Sequence, residues 1–558
     1  MSIAIANKDW GPSHQEMAAP FQKRQPWFWK LVGWYILAVI AHGIVDPGGH
    51  GALVWSLEAL LVGWLVKTFA VVVRDGRIPV AWLGTGGETQ APELVPALAE
   101  GASLTAGEAV RAEIKRLGGG AYLGVSRRGG WVVADRESAV MVLGPPRSGK
   151  TSAVMIPAIL GAPGAVISTS TKPDVMRVTA AVRSEVGQVW LFDPSATGQE
   201  LPDGVRRLCW SPVAAAVSWD EALVVAKAMT ASTRAGAGTT NENHWSERAS
   251  ALLAPLLYAA HQTDRPIGEV LRWILRKDLA SALEVLADSE SEFAADVLTG
   301  IQETDDRERS SIFSAAAGVL AAYNADVVRA SGAHPNFDPA RFASSTDTIY
   351  ITAPEHKQAL CAPLIVGLLE QIRHAAYHQA ATQAIDGPVA LWALDEVANI
   401  APIHDLSALV SQAGGQNLQV MIGLQDLSQA RTRWGQDAAD GFMSLFQTQA
   451  VLSGIADSRT LESISLALGE YDRNMVSSSI GLSDPQEWLT GETHTDTVNY
   501  QTVRQRILPP GEIARMPKGQ ALLVKGMDWQ LMKLTKWYET EPWKTVAGEK
   551  AVQHTSRR

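Results

Sequence analysis

Gly144, Gly149, Lys150 and Thr151 fall on the fixed positions of the pattern G-x-x-x-x-G-K-[ST], with Pro145, Pro146, Arg147 and Ser148 between them and Ser152 next in line. Residues of these types at this spacing bind phosphate. Glycines let the backbone turn tightly enough for successive N–H groups to point inward, and the N-terminus of a following helix adds unpaired donors. In such a loop the Lys150 ammonium reaches β- and γ-phosphates, while the Thr151 hydroxyl completes the shell of a Mg²⁺ ion bridging them. Residues 144–152 are therefore expected to cradle a nucleotide.

A second set of residues gains meaning only beside the first. The apolar run VALWALDE ends in Asp395 and Glu396. Acids at the end of a strand beside a phosphate loop have two tasks: Asp395 holds Mg²⁺, usually through water, and Glu396 polarises the attacking water. Gln425, closing LQVMIGLQD, stands where a side chain can sense the γ-phosphate and orient that water. Lys172, Asp174 and Asp193 also lie just past strand ends, which face the ligand crevice of an open α/β sheet and leave a role near nucleotide or substrate open, although taken singly each reads as an ordinary helix cap or turn.

The elements that must position these groups follow from the apolar pattern. AVMVL before the loop reads as a buried strand and SAVMIPAIL after it as a helix, bent at Pro157. GAVISTST, GQVWLFDP and DTIYITAP are further strands alternating with helical stretches, which predicts a parallel sheet with helices on both faces. Upstream, Thr105 and Glu108 form the two ends of a capping box for a helix closed by Gly118–Gly120, and AYLGVS and WVVAD flank a hairpin turn at RRGG. From Met229 to Val328 the strand signal disappears and apolar residues recur at helical spacing.

Near the N-terminus two apolar stretches, Leu31–Val45 and Ala52–Val66, are joined by DPGGHG. Flanking aromatics bring each to membrane-spanning length, and Lys23, Arg24, Lys30, Arg74 and Arg77 lie outside the pair while the connector has no Lys or Arg. The expectation is a transmembrane hairpin with both ends cytosolic. Glu58, well inside the second stretch, then requires a partner helix or a polar cavity. The net charge of −10 excludes a generally basic, nucleic-acid-coating body, so any DNA path is a local lining. Two cysteines, Cys209 and Cys361, without metal-ligand spacing fit a reducing compartment and no structural zinc.

In this order the motifs resemble the coupling proteins of type IV secretion systems, the TraG/TraD/TrwB-like conjugative DNA translocases related to FtsK and HerA pumps. An apolar hairpin, GPPRSGKT, STSTKPD, a helical insertion, LWALDE, GLQDLSQARTRWG and a closing ILPPGEIARMPKGQALLVKG all occur. The resemblance implies a RecA-like P-loop α/β core with a parallel sheet, an all-α insertion domain and an N-terminal transmembrane hairpin. It divides the chain into a cytosolic segment (1–26), the hairpin (27–78, helices about 29–46 and 51–73), a linker (79–102), a nucleotide-binding domain in two parts (103–228 and 331–543) around the insertion (229–330), and a polar tail (544–558). It further implies an ATP- and Mg²⁺-dependent homo-hexamer in the bacterial inner membrane. That ring would pass single-stranded DNA, with its attached relaxase, to the secretion channel proteins. Carried over by residue, Lys150 and Thr151 match the nucleotide loop, Asp395 and Glu396 the acidic pair, and Gln425 the strand-end glutamine. The stretch SQAGGQN lacks the basic residue proposed in some relatives as an arginine finger, which leaves Arg431, Arg433, Arg459 and Arg473 as candidates. Two other functions stay open at this level: a membrane-anchored docking receptor for protein substrates that uses nucleotide mainly to assemble, and a soluble nucleotide kinase.

Overall fold

The computed structural model describes residues 105–195, 198, 201–233, 240–287, 291–382, 387–479, 497–526, 528–548 and 551. The N-terminal segment, the apolar hairpin and the linker expected over 1–102 lie outside them, as does most of the C-terminal tail. Among the described residues no helix is long and apolar enough to cross a membrane. These residues fall into two units: a body reaching to Gly469 and resuming at Pro509, and a ribbon within Glu470–Leu508.

The body is built on a twelve-stranded sheet. Its centre is β3 (Val140–Leu143), four residues buried throughout, which is what a strand flanked by parallel neighbours and covered on both faces requires. On one side β3 pairs with β9 (Leu418–Leu424), and β9 with β8 (Ala390–Leu394). Beyond these come β4 (Val166–Ser170), β7 (Thr348–Thr352), β5 (Val189–Phe192) and β6 (Val205–Arg207), all parallel. On its other side β3 pairs in parallel with β10 (Thr448–Leu452).

Past β10 the sheet turns antiparallel. β13 (Gln520–Lys525) pairs with β10 and with β14 (Asp528–Lys533); β14 pairs with β1 (Tyr122–Ser126), and β1 with β2 (Trp131–Val133). The β1–β2 hairpin precedes β3 in sequence yet lies on the far edge, because the C-terminal strands are inserted between them.

Helices cover the sheet. α1 (Ala106–Arg116) starts at a complete capping box: the Thr105 hydroxyl accepts from Glu108 N at 3.2 Å and the Glu108 carboxylate from Thr105 N at 2.7 Å. The phosphate loop leads through wide first turns, Lys150–Met155, into α2 (Ile156–Gly161), and α3 (Asp174–Ser184) follows β4. The wide turns account for Pro157: Ile156 N–H bonds Thr151 O five residues back, so the helix passes a residue with no N–H of its own. Across Gly161 lies the indole of Trp543, which opens the short C-terminal helix Trp543–Ala547 and packs on Trp131 at 5.5 Å and Tyr122 at 4.6 Å. Val546 and Ala547 are buried there too, so packing continues into the first residues of the 544–558 stretch expected as a polar tail.

Among the described residues no strand lies between Arg207 and Thr348. α4 (Trp219–Ala231) leads into α5 (Thr240–Gln262), against which the helices Ile267–Arg276, Ala280–Ala287, Glu292–Gln302 and Asp306–Val319 pack. Leu252, Leu253, Leu256 and Leu257 of α5 are fully buried and give this all-helical region its own core. After β7, α6 (Gln358–Thr382) returns the chain to β8. α7 (Leu427–Trp434) follows β9, and α8 (Ser458–Leu468) follows β10. The second unit is a two-stranded ribbon of β11 (Glu470–Ser479) and β12 (Thr497–Arg506), paired from Glu470↔Arg506 to Ser479↔Thr497.

Candidate nucleotide site

The carboxyl ends of β3, β8 and β9 share one edge of the sheet, which brings the two sequence motifs together. The Thr151 hydroxyl donates to Asp395 Oδ2 at 2.6 Å across 244 residues of chain. Lys150 Nζ lies 3.6 Å from Asp395 Oδ1, and both side chains are almost buried. Lys150 also reaches Gly144 O, at a long 3.5 Å. The Asp395 carbonyl accepts from Thr169 Oγ1 at 2.8 Å, so β4 fixes the turn that aims the carboxylate.

The loop is shaped by backbone freedom. Gly149 has φ 101°, in the region that glycine enters without penalty. A Cβ on Gly144 would stand 2.6 Å from Ser148 Oγ, and Gly144 N–H is bonded to Leu424 O at 3.0 Å, hanging the loop on β9. Among the described residues five non-glycines have positive φ, and two belong to this site: Arg147 (φ 64°) in the loop and Glu396 (φ 52°) after Asp395. Left-handed backbone costs an ordinary residue about 1 kcal/mol or more, so its presence at both motifs is strain held by the surrounding fold.

Glu396 sits half-buried beside this pair. Burial, then the charge of Asp395, raises its pKa above the usual 4.5; Lys150 pulls it back down, and Glu355, just past β7, pushes it up again. The result is a carboxylate more basic than a surface glutamate, as a group that takes a proton from water must be. Gln425, the residue after β9, is partly buried, its N–H held by Gln429 Oε1 at 2.8 Å. Asp193 forms a local turn, accepting from Ser195 N at 3.1 Å and Oγ at 2.5 Å, as a cap would.

Three contributors have no local signature in the sequence. Gly423 is one: a Cβ there would lie 2.5 Å from Asp395 Oδ1, so glycine on β9 makes the space that the carboxylate occupies. Thr169 and Glu355 are the others: Thr169 near the end of β4 is brought to Asp395 by the pairing of β4 with β8, and Glu355, just past β7, acts on Glu396 through its charge. Of the arginines, Arg431 is paired with Asp457 and Arg433 donates to Ser232 O, which removes both from the list of free guanidinium groups. Arg459 is exposed, and the side chain of Arg473 lies outside the described residues.

The residues fit a nucleotide with Mg²⁺. A hydroxyl and a carboxylate are hard oxygen ligands of the kind Mg²⁺ takes, and Ser148 Oγ is buried with no partner, an acceptor and donor left for a phosphate to use.

The chain is similar to known proteins in both sequence and fold. The model of the family "Type IV secretory system Conjugative DNA transfer" matches residues 98–557. Protein VirD4 of Rhizobium rhizogenes is 22% identical over 418 residues, a stretch covering 74% of this chain and 60% of that protein. The bacterial conjugative coupling protein TrwBdeltaN70, in its unbound monoclinic form, superposes with a TM-score of 0.55 at 17% identity, covering 76% of this chain and 91% of its own. The plasmid coupling protein TrwB in complex with ADP and Mg²⁺ gives 0.55 at 16% identity, over 76% and 92%. At such identities the solved structures speak for the fold: α/β with a mostly parallel sheet.

Proposed function

The chain belongs to the type IV secretory system conjugative DNA transfer family, and we propose that it is a membrane-anchored, ATP-hydrolysing coupling protein that brings relaxase-bound DNA to a secretion channel and drives it through. The observation that carries this reading is the 2.6 Å contact between Thr151 and Asp395, because it unites a phosphate loop with an acidic strand end in one crevice. A relative of the same fold is known in complex with ADP and Mg²⁺, which supports assigning that ligand pair here.

Lys150 binds the terminal phosphates, exchanging a long ion pair with Asp395 for charge-assisted hydrogen bonds. Thr151 and Asp395 hold Mg²⁺, whose chemistry is to neutralise charge on the β- and γ-phosphates. Glu396, kept basic by burial and by Asp395, accepts the proton of the attacking water, and Gln425 orients that water from the end of β9. Membrane attachment through the apolar segments 27–78, a hexameric ring and passage of single-stranded DNA complete the proposal.

The test is ATP hydrolysis by the full chain in lipid nanodiscs, with and without single-stranded DNA. The expected result is hydrolysis stimulated by DNA and suppressed by salt, with Glu396→Gln retaining nucleotide affinity while turnover falls by about 10²-fold or more. Hydrolysis indifferent to DNA at every salt concentration overturns the pumping step and favours a docking receptor.

A further inference from the structure

α7 is only eight residues long, yet it is tied to a different element at nearly every turn. At its start, Gln429 Oε1 holds Gln425 N–H at 2.8 Å, and Leu427 N–H bonds Thr460 Oγ1 of α8 at 3.0 Å. In its middle, Arg431 pairs with Asp457, which itself accepts from Thr460 N at 2.9 Å. At its end, Trp434 Nε1 donates to Ile403 O at 2.7 Å, in the segment that follows the Asp395–Glu396 turn. Between these last two ties, Arg433 donates to the carbonyl of Ser232, the C-cap residue of α4.

We propose that Arg433 is a positioning residue that links the Gln425 end of β9 to the all-helical region, so that a change in what Gln425 faces is carried by α7 to the last turn of α4. The proposal rests on the nucleotide reading of the Gln425 crevice. A short helix tied to the residue after β9, to α8 and to the segment after Glu396 has several anchors along only eight residues, so a displacement at one end is carried to the other. The last carbonyls of a helix lack intrahelical partners and carry partial negative charge, so a half-buried guanidinium there is held by both hydrogen bonding and charge. α4 packs along α5, the central helix of the all-helical region, so a shift at Ser232 reaches that core. The same contact engages the Arg433 guanidinium within its own chain, which argues against its use as an arginine finger.

The experiment is hydrogen exchange, read by mass spectrometry on the full chain in nanodiscs, with Mg·ADP and with a Mg-loaded non-hydrolysable ATP analogue, nucleotide affinity and unfolding temperature being measured on the same samples. In the wild type, exchange in residues 228–233 and 427–434 is expected to differ several-fold between the two nucleotides. In Arg433→Gln the difference at 427–434 persists and that at 228–233 is lost, with affinity within about two-fold of wild type. Arg433→Lys keeps the cation, and is the variant to rely on if the glutamine protein unfolds; it gives an intermediate response at 228–233. A wild-type-sized response at 228–233 in the substituted proteins, or none in a wild type that binds nucleotide, overturns the coupling alone. A wild type that binds no nucleotide overturns the functional reading and the coupling with it.

Discussion

Two buried cations stand at opposite ends of the parallel strands of the sheet. Arg183, at the end of α3, is fully buried beneath the amino ends of β4 and β7, with every nitrogen in use. Nε donates to Thr348 Oγ1 at 2.8 Å, one terminal nitrogen to Ala162 O at 2.6 Å, and the other to Gly164 O at 2.7 Å and Thr346 O at 3.0 Å. Burial lowers its pKa to about 10, still high enough for it to stay charged at neutral pH. Lys150, at the carboxyl ends, has an ion pair at 3.6 Å and a hydrogen bond at 3.5 Å, both long. A cation whose every nitrogen is engaged in the core fixes backbone and is sealed from any ligand; an ammonium with three donors and two long contacts keeps capacity for one. The same division holds for other groups. Gln419, also at the amino ends, satisfies Ala121 N, Asp135 O and Ser138 O, whereas Ser148 in the loop is unpartnered and Glu396 is strained.

The comparison breaks if the two residues respond alike to removal of charge. Lys150→Met should abolish hydrolysis, by about 10³-fold or more, while shifting the melting temperature by no more than about 2 °C. Asp395 remains satisfied there by the Thr151 hydroxyl and by Glu396 N–H at 3.1 Å. Arg183→Met should do the reverse. It strands three carbonyls and a hydroxyl in the core, a loss of about 3–5 kcal/mol and roughly 10 °C in melting temperature. At temperatures where that variant is still folded, turnover per folded molecule should stay near wild type. Paired melts and steady-state assays decide both.

A subtler contrast lies between the glycines of the phosphate loop and one on the neighbouring strand β9. Gly144 and Gly149 declare themselves by their spacing to Lys150, a local code that needs no fold. Gly423 has no such code; its role depends on β9 lying against β8, a pairing that the apolar runs leave open. The phosphate loop, the acidic pair, the capping box at Thr105 and the alternation of strands and helices were all legible because each is set by residues within a few positions of one another. Strand order was not. β10, next to β3, is a five-residue strand that opens on two polar residues, Thr448 and Gln449, and the insertion of β13 and β14 between it and β1 depends on pairing between segments about 400 residues apart. Nor does anything local in Arg183 or Arg433 distinguish them from surface arginines. Gly423→Ala tests the non-local case: its Cβ meets Asp395 Oδ1 at 2.5 Å, so the carboxylate must move. The expected outcome is a loss of about 1–3 kcal/mol in stability and a weakened Mg²⁺ dependence of nucleotide affinity, measured by titrating the metal.

The smallest expected effect separates charge from contact at the carboxyl ends. Glu355 is exposed and reaches Glu396 only through its field, raising the proton affinity of a carboxylate already raised by burial and by Asp395. A general base works when deprotonated, so the acid limb of turnover should lie above the ordinary glutamate value of 4.5, and Glu355→Gln, by removing one negative neighbour, should move that limb to lower pH. The stability consequence has the same origin. A carboxyl whose folded pKa is raised holds its proton more tightly in the native state, so it costs no stability below the unfolded value and costs progressively more as pH rises from 4.5 through the raised value. Glu355→Gln should therefore leave acid stability unchanged and slightly improve stability at neutral pH. Because the interaction crosses solvent, both shifts should shrink as salt is added. Arg183 gives the control: with its nitrogens bound to neutral acceptors in the core, its contribution should hold across the same salt range. If the acid limb does not move in Glu355→Gln at low salt, the basicity of Glu396 comes from burial and Asp395 alone.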